Sequence, residues 1–284
     1  RQLLKTAKEA AFTSDGLEVA FLAGGDVWVM DTVLREPRQV TDTPEEESEV
    51  LFSAENNILY FVSEAGGQPD IWKAEPANGR KGWWQNDSFN LTKLTDDAST
   101  EYRLANRPSK PKLGFLKTKP TLSYLKDRGD LWVTDSDGKD AKRLLESWNS
   151  IDYDWSPDGK WITYAMSDAD FNRDVFIYQV GSKEPPFNLS RHPDDESHPV
   201  WSPDGKTIAF LGRRQGTEVD IYFVQLLERD SEQSSRDRKV NAANKKFSAA
   251  RRRPPPKDPP AKKPTDPKDS PAKKPADPKD PPAK

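Results

Sequence analysis

The chain has 284 residues, of which 33% are hydrophobic and 32% charged, and its net charge at pH 7 is −3. It contains no cysteine, which excludes disulfides and thiolate chemistry and is compatible with either the cytoplasm or the periplasm. No run approaches the roughly eighteen apolar residues that a membrane-spanning helix needs.

Five stretches of the chain resemble one another. The first reads "FTSDGLEVAFLAGGDVWVMD" from Phe12, the second begins at Leu51, a degraded third spans Tyr102 to Asp135, and the last two begin near Tyr153 and Pro199. Each contains an aspartate ahead of an alternating apolar run, and these aspartates are Asp26, Asp70, Asp130, Asp174 and Asp220. Their separations are 44, 60, 44 and 46 residues, so the chain repeats with a period in the mid-forties.

The repeated unit has a clear secondary-structure signature. "WSPDGK" occurs twice, and its Pro, Asp and Gly favour a tight turn in which glycine takes a positive φ, as at Gly159 and Gly205. Runs that alternate β-branched and aromatic residues flank the turn and predict strands with one buried face. Most units close on a short polar segment, "QVT", "KLT" or "NLS". Each unit therefore predicts four antiparallel strands.

Four-stranded units with this period predict an all-β fold, a β-propeller over residues 1–228. The 60-residue interval implies an insertion, which we place at "NGRKGWWQNDSFN", Asn78 to Asn90. Five blades are recognisable, whereas blades of this length usually close in sixes or sevens. We therefore expect part of a six- or seven-bladed propeller, with the missing strands supplied from upstream, by a partner or by sequence too degraded to recognise.

The chain after the repeats has a different composition. From residue 229 onward seventeen Lys and Arg stand against eight Asp and Glu, so this end carries about +9 and residues 1–228 about −12. We expect a charged connector with helical potential over 229–253, followed by a disordered Pro/Lys/Asp linker over 254–284. The linker holds twelve of the 25 prolines and repeats every eleven residues, which favours a spacer over a binding segment.

The order "WSPDGK", "IAF", "DIY", "NLS" resembles the propeller repeat of TolB, of tricorn protease and of prolyl-oligopeptidase-type peptidases. The resemblance covers about residues 10 to 227 and is strongest in the last two units. The closing propeller segment followed by a Lys/Pro linker is most similar to the amino-terminal propeller of bacterial tricorn-like serine peptidases. That resemblance implies a PDZ module and a catalytic domain beyond the linker, and it favours the periplasm or cell envelope over the cytoplasm. The sequence opens at Arg1 without Met, so a fragment or a processed form is one expectation.

No catalytic constellation is visible. The chain has no G-x-S-x-G elbow, no H-E-x-x-H and no Gly-rich phosphate loop. Its two histidines, His192 and His198, fall in one predicted loop, and their spacing with the nearby acids matches no zinc pattern. We expect no catalysis, no metal and no cofactor in this chain.

Propeller geometry predicts where a ligand would bind. The loops between second and third strands, Ser167–Arg173 and Gly212–Glu218, share a face with the blade crossovers such as Ser190–Pro199, and the Ser-Pro-Asp-Gly turns lie on the opposite face. The candidate contact residues on the crossover face are Asp168, Asp170, Arg173, His192, Asp194, Asp195, His198, Arg213 and Arg214. The simpler interpretation of each is a solvated loop residue.

Two functions remain open at this point. The first is the non-catalytic propeller of a multidomain peptidase, which guides or filters peptide substrates; the second is a TolB-like adaptor that binds a partner protein. A carbohydrate-binding propeller is a weaker third, because the nine tryptophans are more simply core residues; only "GWW" at Gly82–Trp84 suggests an exposed aromatic platform. In all three functions the expected partner is a peptide, a protein or a sugar. We expect no nucleic-acid partner and no membrane span.

Overall fold

The structure is a computed structural model, and it describes residues 9–108, 121–228 and 234–251. The predicted linker 254–284 lies outside the described residues. The chain divides into two compact units, residues 1–231 and residues 232–284. In the second unit one helix, α1, spans Ser235–Arg251, inside the predicted connector.

The described residues of the first unit form five antiparallel sheets, each made of strands consecutive in sequence. Blade one comprises β1 Ala10–Phe12, β2 Glu18–Ala23, β3 Asp26–Asp31 and β4 Pro37–Gln39. Blade two comprises β5 Glu47–Phe52, β6 Leu59–Ser63, β7 Asp70–Pro76 and β8 Phe89–Lys93. Blade three comprises β9 Glu101–Arg107, β10 Thr121–Lys126, β11 Asp130–Asp135 and β12 Lys142–Leu145. Blade four comprises β13 Asp152–Trp155, β14 Trp161–Ser167, β15 Arg173–Gln179 and β16 Phe187–Asn188.

Blade five comprises β17 Glu196–Trp201, β18 Thr207–Gln215 and β19 Glu218–Gln225. The sequence predicted four strands for each unit, but this sheet has three within the described residues. Its third strand also has an uncovered face. The residue after the recurring aspartate is fully buried as Val27, Ile71, Leu131 and Val175 in blades one to four, whereas Ile221 is 76% exposed.

The predicted turns form as the sequence requires. In blades four and five the Ser156 and Ser202 hydroxyls each donate 2.7 Å to the Asp two residues later. Gly159 and Gly205 take φ values of +66° and +70°, which glycine adopts without a Cβ penalty. The turn prediction is therefore confirmed in both blades.

The hydrophobic core lies between neighbouring blades. Val27, Val29 and Phe52 pack between blades one and two, and Tyr60, Ile71 and Tyr124 pack between blades two and three. Leu131, Val133, Trp155 and Ile162 pack between blades three and four, and Ala165, Val175 and Phe210 between blades four and five. Each sheet thus stabilises the next by face-to-face burial of apolar surface.

A hydroxyl clip joins successive blades and explains the closing "VT", "LT" and "LS" pairs. Thr95 Oγ1 lies 3.1 Å from Glu101 Oε2 at the start of the next blade and 3.4 Å from the recurring Asp70. The same hydroxyl accepts a hydrogen bond from the backbone N–H of Ile71. Thr41 repeats the arrangement with Glu47. The clip therefore ties the third strand of one blade to the inner strand of the following blade.

The clip at Glu101 predicts a pH-dependent stability. Burial of Glu101 raises its pKa to about 7, although Thr95 and Lys126 favour the carboxylate. Between the ordinary value of 4.5 and about 7 the unfolded chain has released this proton while the folded chain retains it, so the side chain costs stability as pH rises. We expect Glu101→Gln to raise Tm relative to the parent at pH 7 but not at pH 4.5. The measurement is Tm against pH, with exposed Glu55→Gln as control; a Tm difference that does not change with pH would contradict it.

The insertion of blade two packs into the domain. Its loop between β7 and β8 contains a 3₁₀ turn at Trp83–Gln85, and Trp83 is buried against Phe52 and Phe89. The interpretation of Gly82–Trp84 as an exposed platform is therefore wrong for Trp83, because its ring fills the space between blades one and two. A second extension accounts for the rest of the long interval, since residues 108–120 separate β9 from β10.

Among the described residues, no helix combines the length and the apolar character needed to cross a membrane.

Candidate functional site

Three blades converge on one buried carboxylate. Asp152 begins the inner strand of blade four and forms ion pairs with Arg103 of blade three and with Arg173 of its own blade, the latter at 2.8 Å. Nδ1 of His198, from blade five, lies 3.7 Å from the same carboxylate. We call these four residues the Asp152 cluster. Because the side chains of Arg103 and His198 remain 44% and 63% exposed, the cluster is accessible from solvent.

The electrostatics of the cluster favour a charged Asp152. Burial alone would raise its pKa, but the hydrogen bond from Arg103 and the positive charges of Arg173 and Arg103 outweigh burial and lower the pKa below 3.8. The carboxylate is therefore ionised at neutral pH. Two guanidinium groups lie beside this one carboxylate, so the net charge of the cluster is positive. A positive cluster favours an anionic or polar ligand group.

Bulges in the inner strands place residues at this site. Glu49, Arg103 and His198 occupy equivalent bulge positions in blades two, three and five, with φ values of +53°, +56° and +51°. A positive φ is costly for a residue with a side chain, and it persists only where the surroundings enforce it. The bulge turns each of these residues out of the regular alternation of the strand.

Carboxylates of one blade hold the bulged backbone of the next. Glu9 accepts a 3.0 Å hydrogen bond from Glu49 N, and Glu49 in turn accepts one of 2.9 Å from Leu104 N. Asp152 accepts from His198 N at 3.3 Å. These bonds fix the inner strands relative to one another and so preorganise the site.

An exposed aromatic pair lies beside the cluster. Trp148, in the crossover that leads to β13, and Phe171, in the loop between β14 and β15, meet edge to face with ring centroids 5.6 Å apart. They are 48% and 73% exposed, which is unusual for rings of this size. The Trp148 ring is held by a 3.1 Å hydrogen bond from its Nε1 to Ser167 O. Phe171 has a backbone φ of +65° in the loop that presents its ring.

The loop that presents Phe171 is closed by Asp168. Its carboxylate accepts hydrogen bonds from Asp170 N at 2.9 Å and Asn172 N at 3.0 Å. Asp168 therefore supports the loop, while the side chain of Asp170 is exposed. Arg173 follows directly and belongs to the Asp152 cluster.

The remaining candidates form two further groups. Glu196, whose side chain is buried, lies 3.5 Å from His192 Nδ1 and 3.2 Å from Arg214 Nε. Arg213 contacts Asp194 at 2.8 Å and Asp195 at 3.3 Å. Of the nine predicted residues, the Asp152 cluster thus contains Arg173 and His198, while the other seven lie in the supporting loop and in these two ion-paired groups.

Sequence reasoning missed Asp152, Arg103, Trp148 and Phe171. Asp152 stands three residues before the Trp of the repeat, in the inner strand "DYDW", and a charged residue on a strand that is expected to be buried was a usable signal. The position of the Arg103 side chain depends on a bulge in β9, and the residues next to Arg103 in the sequence do not predict that bulge. Within the described part of the chain no group of three or more His, Cys, Asp or Glu side chains could hold a metal ion.

Comparison with solved structures places this architecture. Tricorn protease superimposes with a TM-score of 0.57 at 12% identity, over 80% of this chain and 22% of that one. TolB from Acinetobacter baumannii gives 0.50 at 18% identity, over 77% of this chain and 51% of TolB. The chain has the β-propeller fold. The propeller of Dos1 is similar as well, with a TM-score of 0.53 at 12% identity over 72% of this chain and 53% of that one.

One curated protein resembles part of the chain in sequence. Dipeptidyl-peptidase 5 from Porphyromonas gingivalis is 33% identical over 95 residues, which are 30% of this chain and 14% of that protein. The chain thus matches a small part of the length of that relative. No family model matches the chain.

Proposed function

We propose that this propeller is a non-catalytic interaction module that binds an extended peptide segment on its crossover face. The observation that carries the proposal is the Asp152 cluster with the exposed Trp148–Phe171 pair beside it. The pair offers a rigid apolar surface for a side chain, and Arg103 and His198 offer donors for backbone carbonyls or a carboxylate. Because inter-blade hydrogen bonds already fix the bulges, little ordering is needed on binding.

The biological setting we propose is a multidomain peptidase in which the propeller guides or filters peptide substrates. Two similarities support it, the fold shared with tricorn protease and the partial sequence match to a dipeptidyl-peptidase. The residues of the Asp152 cluster include no nucleophile placed beside a base, so we assign this chain binding rather than bond cleavage. A periplasmic or envelope location would suit this role.

A TolB-like adaptor is the second candidate. The observation in its favour is the share of the other protein that is matched, which is 51% of TolB but 22% of tricorn protease. In that case the crossover face would bind a folded partner protein instead of a free peptide.

We expect the immobilised propeller to enrich a subset of peptides from a tryptic digest of casein, and Phe171→Ala to weaken binding of the most enriched peptide about tenfold. The reason is that truncating an exposed aromatic anchor removes its contact with the ligand, and a loss of about 1.4 kcal/mol corresponds to a factor of ten. The measurement is fluorescence anisotropy with the labelled peptide.

The matched control is Phe12→Ala, which truncates another exposed phenylalanine, at the end of β1 in blade one. Equal affinity of Phe171→Ala and the parent would contradict the proposed site. Failure to enrich any peptide, combined with capture of an intact folded protein through Phe171, would favour the adaptor.

A further inference from the structure

A groove lies between blades four and five on the face that carries the Ser-Pro-Asp-Gly turns. Its volume is about 630 Å³, and it is lined by both turns and by the outer halves of the two sheets. The side chains that line it include Trp161, Phe187, Leu189, Trp201, Val224 and Gln225. The groove is separate from the crossover face, and the inference from it goes beyond the proposed function.

The repeat supplies an equivalent groove between blades one and two. Equivalent positions in the two grooves can be found from their distance to the turn glycine or to the recurring aspartate, and from the pairing of the strands. Five lining residues of the groove between blades four and five have a counterpart found in this way. Trp161, Phe187, Leu189, Trp201 and Val224 correspond to Glu18, Arg38, Val40, Phe52 and Ala74.

In blades one and two this groove is filled by the inserted loop. Trp83 packs with Val40, Phe52 and Ala74 in one core cluster. Its indole Nε1 donates a 2.8 Å hydrogen bond to the Asn56 carbonyl of the turn. The groove is therefore a socket of a size and shape that accept a tryptophan ring.

The polar positions of the filled groove hold the backbone of the loop. Glu18 Oε1 accepts from Trp84 N at 3.1 Å, and Arg38 Nε donates to Trp84 O at 3.1 Å. In the groove of blades four and five their counterparts are Trp161 and Phe187, so the second socket is more apolar. A ligand in the second socket would therefore be stabilised more by contacts with its aromatic ring, and less by hydrogen bonds to its backbone, than the loop between blades one and two.

Trp201 and Gln225 line the second socket, and each carries one buried polar atom without a hydrogen-bond partner among the described residues. These are Trp201 Nε1, a donor, and Gln225 Oε1, an acceptor. A buried polar atom left unpaired costs free energy. By contrast, the corresponding indole one blade earlier, Trp155, donates to Ser123 Oγ at 2.9 Å.

We propose that the groove between blades four and five binds a loop of a partner protein that inserts an aromatic side chain, in the way that Trp83 inserts between blades one and two. The inserted ring packs against Leu189, Trp201 and Val224, the counterparts of the Val40, Phe52 and Ala74 that surround Trp83. Asp158 and Asp204 line the same groove and add negative charge. The partner segment is therefore an aromatic residue with basic neighbours, as in the inserted loop, where Arg80 and Lys81 precede the tryptophans.

The test uses a synthetic copy of residues 78–87, "NGRKGWWQND", added to the whole chain. The readout is the indole N–H resonance of Trp201 in ¹H–¹⁵N spectra, assigned with Trp201→Phe. We expect that resonance to shift progressively as peptide is added up to about 1 mM, with an affinity typical of a single anchoring side chain. A second copy of the peptide in which both tryptophans are alanine should give no shift.

Phe187→Ala removes an exposed ring at the edge of the groove, so it should fold and should weaken binding at least fivefold. Phe171→Ala, on the crossover face, should leave the titration unchanged, which separates this inference from the proposed function. An unshifted Trp201 resonance, or equal shifts with the alanine peptide, would overturn the assignment. A shift that depends on the concentration of the protein alone would assign the groove to a second copy and overturn it as well.

Discussion

Gly159→Ala is expected to destabilise the domain by about 3 kcal/mol or more, whereas Gly205→Ala, at the same position of the next repeat, is expected to cost about 1–2 kcal/mol. Both glycines have a positive φ and share the penalty that any side chain meets there. They differ in their surroundings. A Cβ on Gly159 would lie 1.9 Å from the Pro108 carbonyl oxygen, whereas a Cβ on Gly205 would lie 3.7 Å from the ring of Pro157.

The clash at Gly159 cannot be relieved by a side-chain rotation. The opposing atom belongs to the backbone, and Arg107 Nε also donates a 2.8 Å hydrogen bond to Gly159 O. The contact between the turn of blade four and the end of β9 would have to separate. Urea unfolding of both variants measures the difference, with Gly205→Ala as the matched control. Equal losses for the two glycines would show that backbone strain alone decides the effect.

Asp152→Ala is expected to cost about 2–3 kcal/mol, because it removes the buried counter-ion of the cluster and the acceptor of the His198 N–H, while solvent around Arg103 and His198 limits the penalty. Asp152→Asn keeps the size of the side chain and removes the charge, so it isolates the electrostatic part. Because the folded-state pKa lies below 3.8, the charge contributes stability that is fully present above pH 3.8 and is lost as pH falls through the folded pKa.

Urea unfolding from pH 3 to 7 tests this expectation. The gap in stability between the parent and Asp152→Asn should be constant near neutrality and should close at the acidic end. The control is Asp170→Asn, whose side chain is exposed and should change stability by less than about 0.5 kcal/mol. A gap that persists unchanged at pH 3 would show that the effect is one of shape and hydrogen bonding, not of charge.

The repeated turns could be predicted from sequence because their causes are local. Within "SPDG" the proline sets one backbone angle, the aspartate bonds to nearby backbone, and the glycine takes the positive φ, so four residues contain the whole argument. The blade period follows in the same way from alternating apolar positions. Both were confirmed, together with the propeller fold they imply.

The candidate site could not be predicted from local sequence, because it depends on contacts between residues of different blades. Nothing next to Arg103 or His198 requires a positive φ; the bulges exist because Glu49 and Asp152, each on a neighbouring inner strand, accept hydrogen bonds from the bulged backbone. Trp148 and Phe171 meet only because a crossover and a loop 23 residues further along the chain end at the same edge of blade four. Sequence placed the loops on this face but did not indicate which side chains meet there.

The interpretation of Gly82–Trp84 as an exposed platform was wrong for Trp83 for a similar reason. "GWW" lies in a polar loop, which favours exposure, and its burial depends on a groove built by two sheets. The lining positions of the groove repeat from blade to blade, but the loop that fills it between blades one and two is an insertion of a single blade.

The uncovered face of blade five gives the polypeptide a surface of the kind that promotes association between chains. β19 is rich in β-branched and aromatic residues, and within the described part of the chain its outer edge has no pairing strand. Segments of this kind nucleate aggregates and attract chaperones while a protein is being folded. Glu218 and Asp220 interrupt the apolar run with negative charge and so act as gatekeepers against self-pairing. The aspartate that marks each repeat would thus, in this last blade, also protect newly made chains from association with one another.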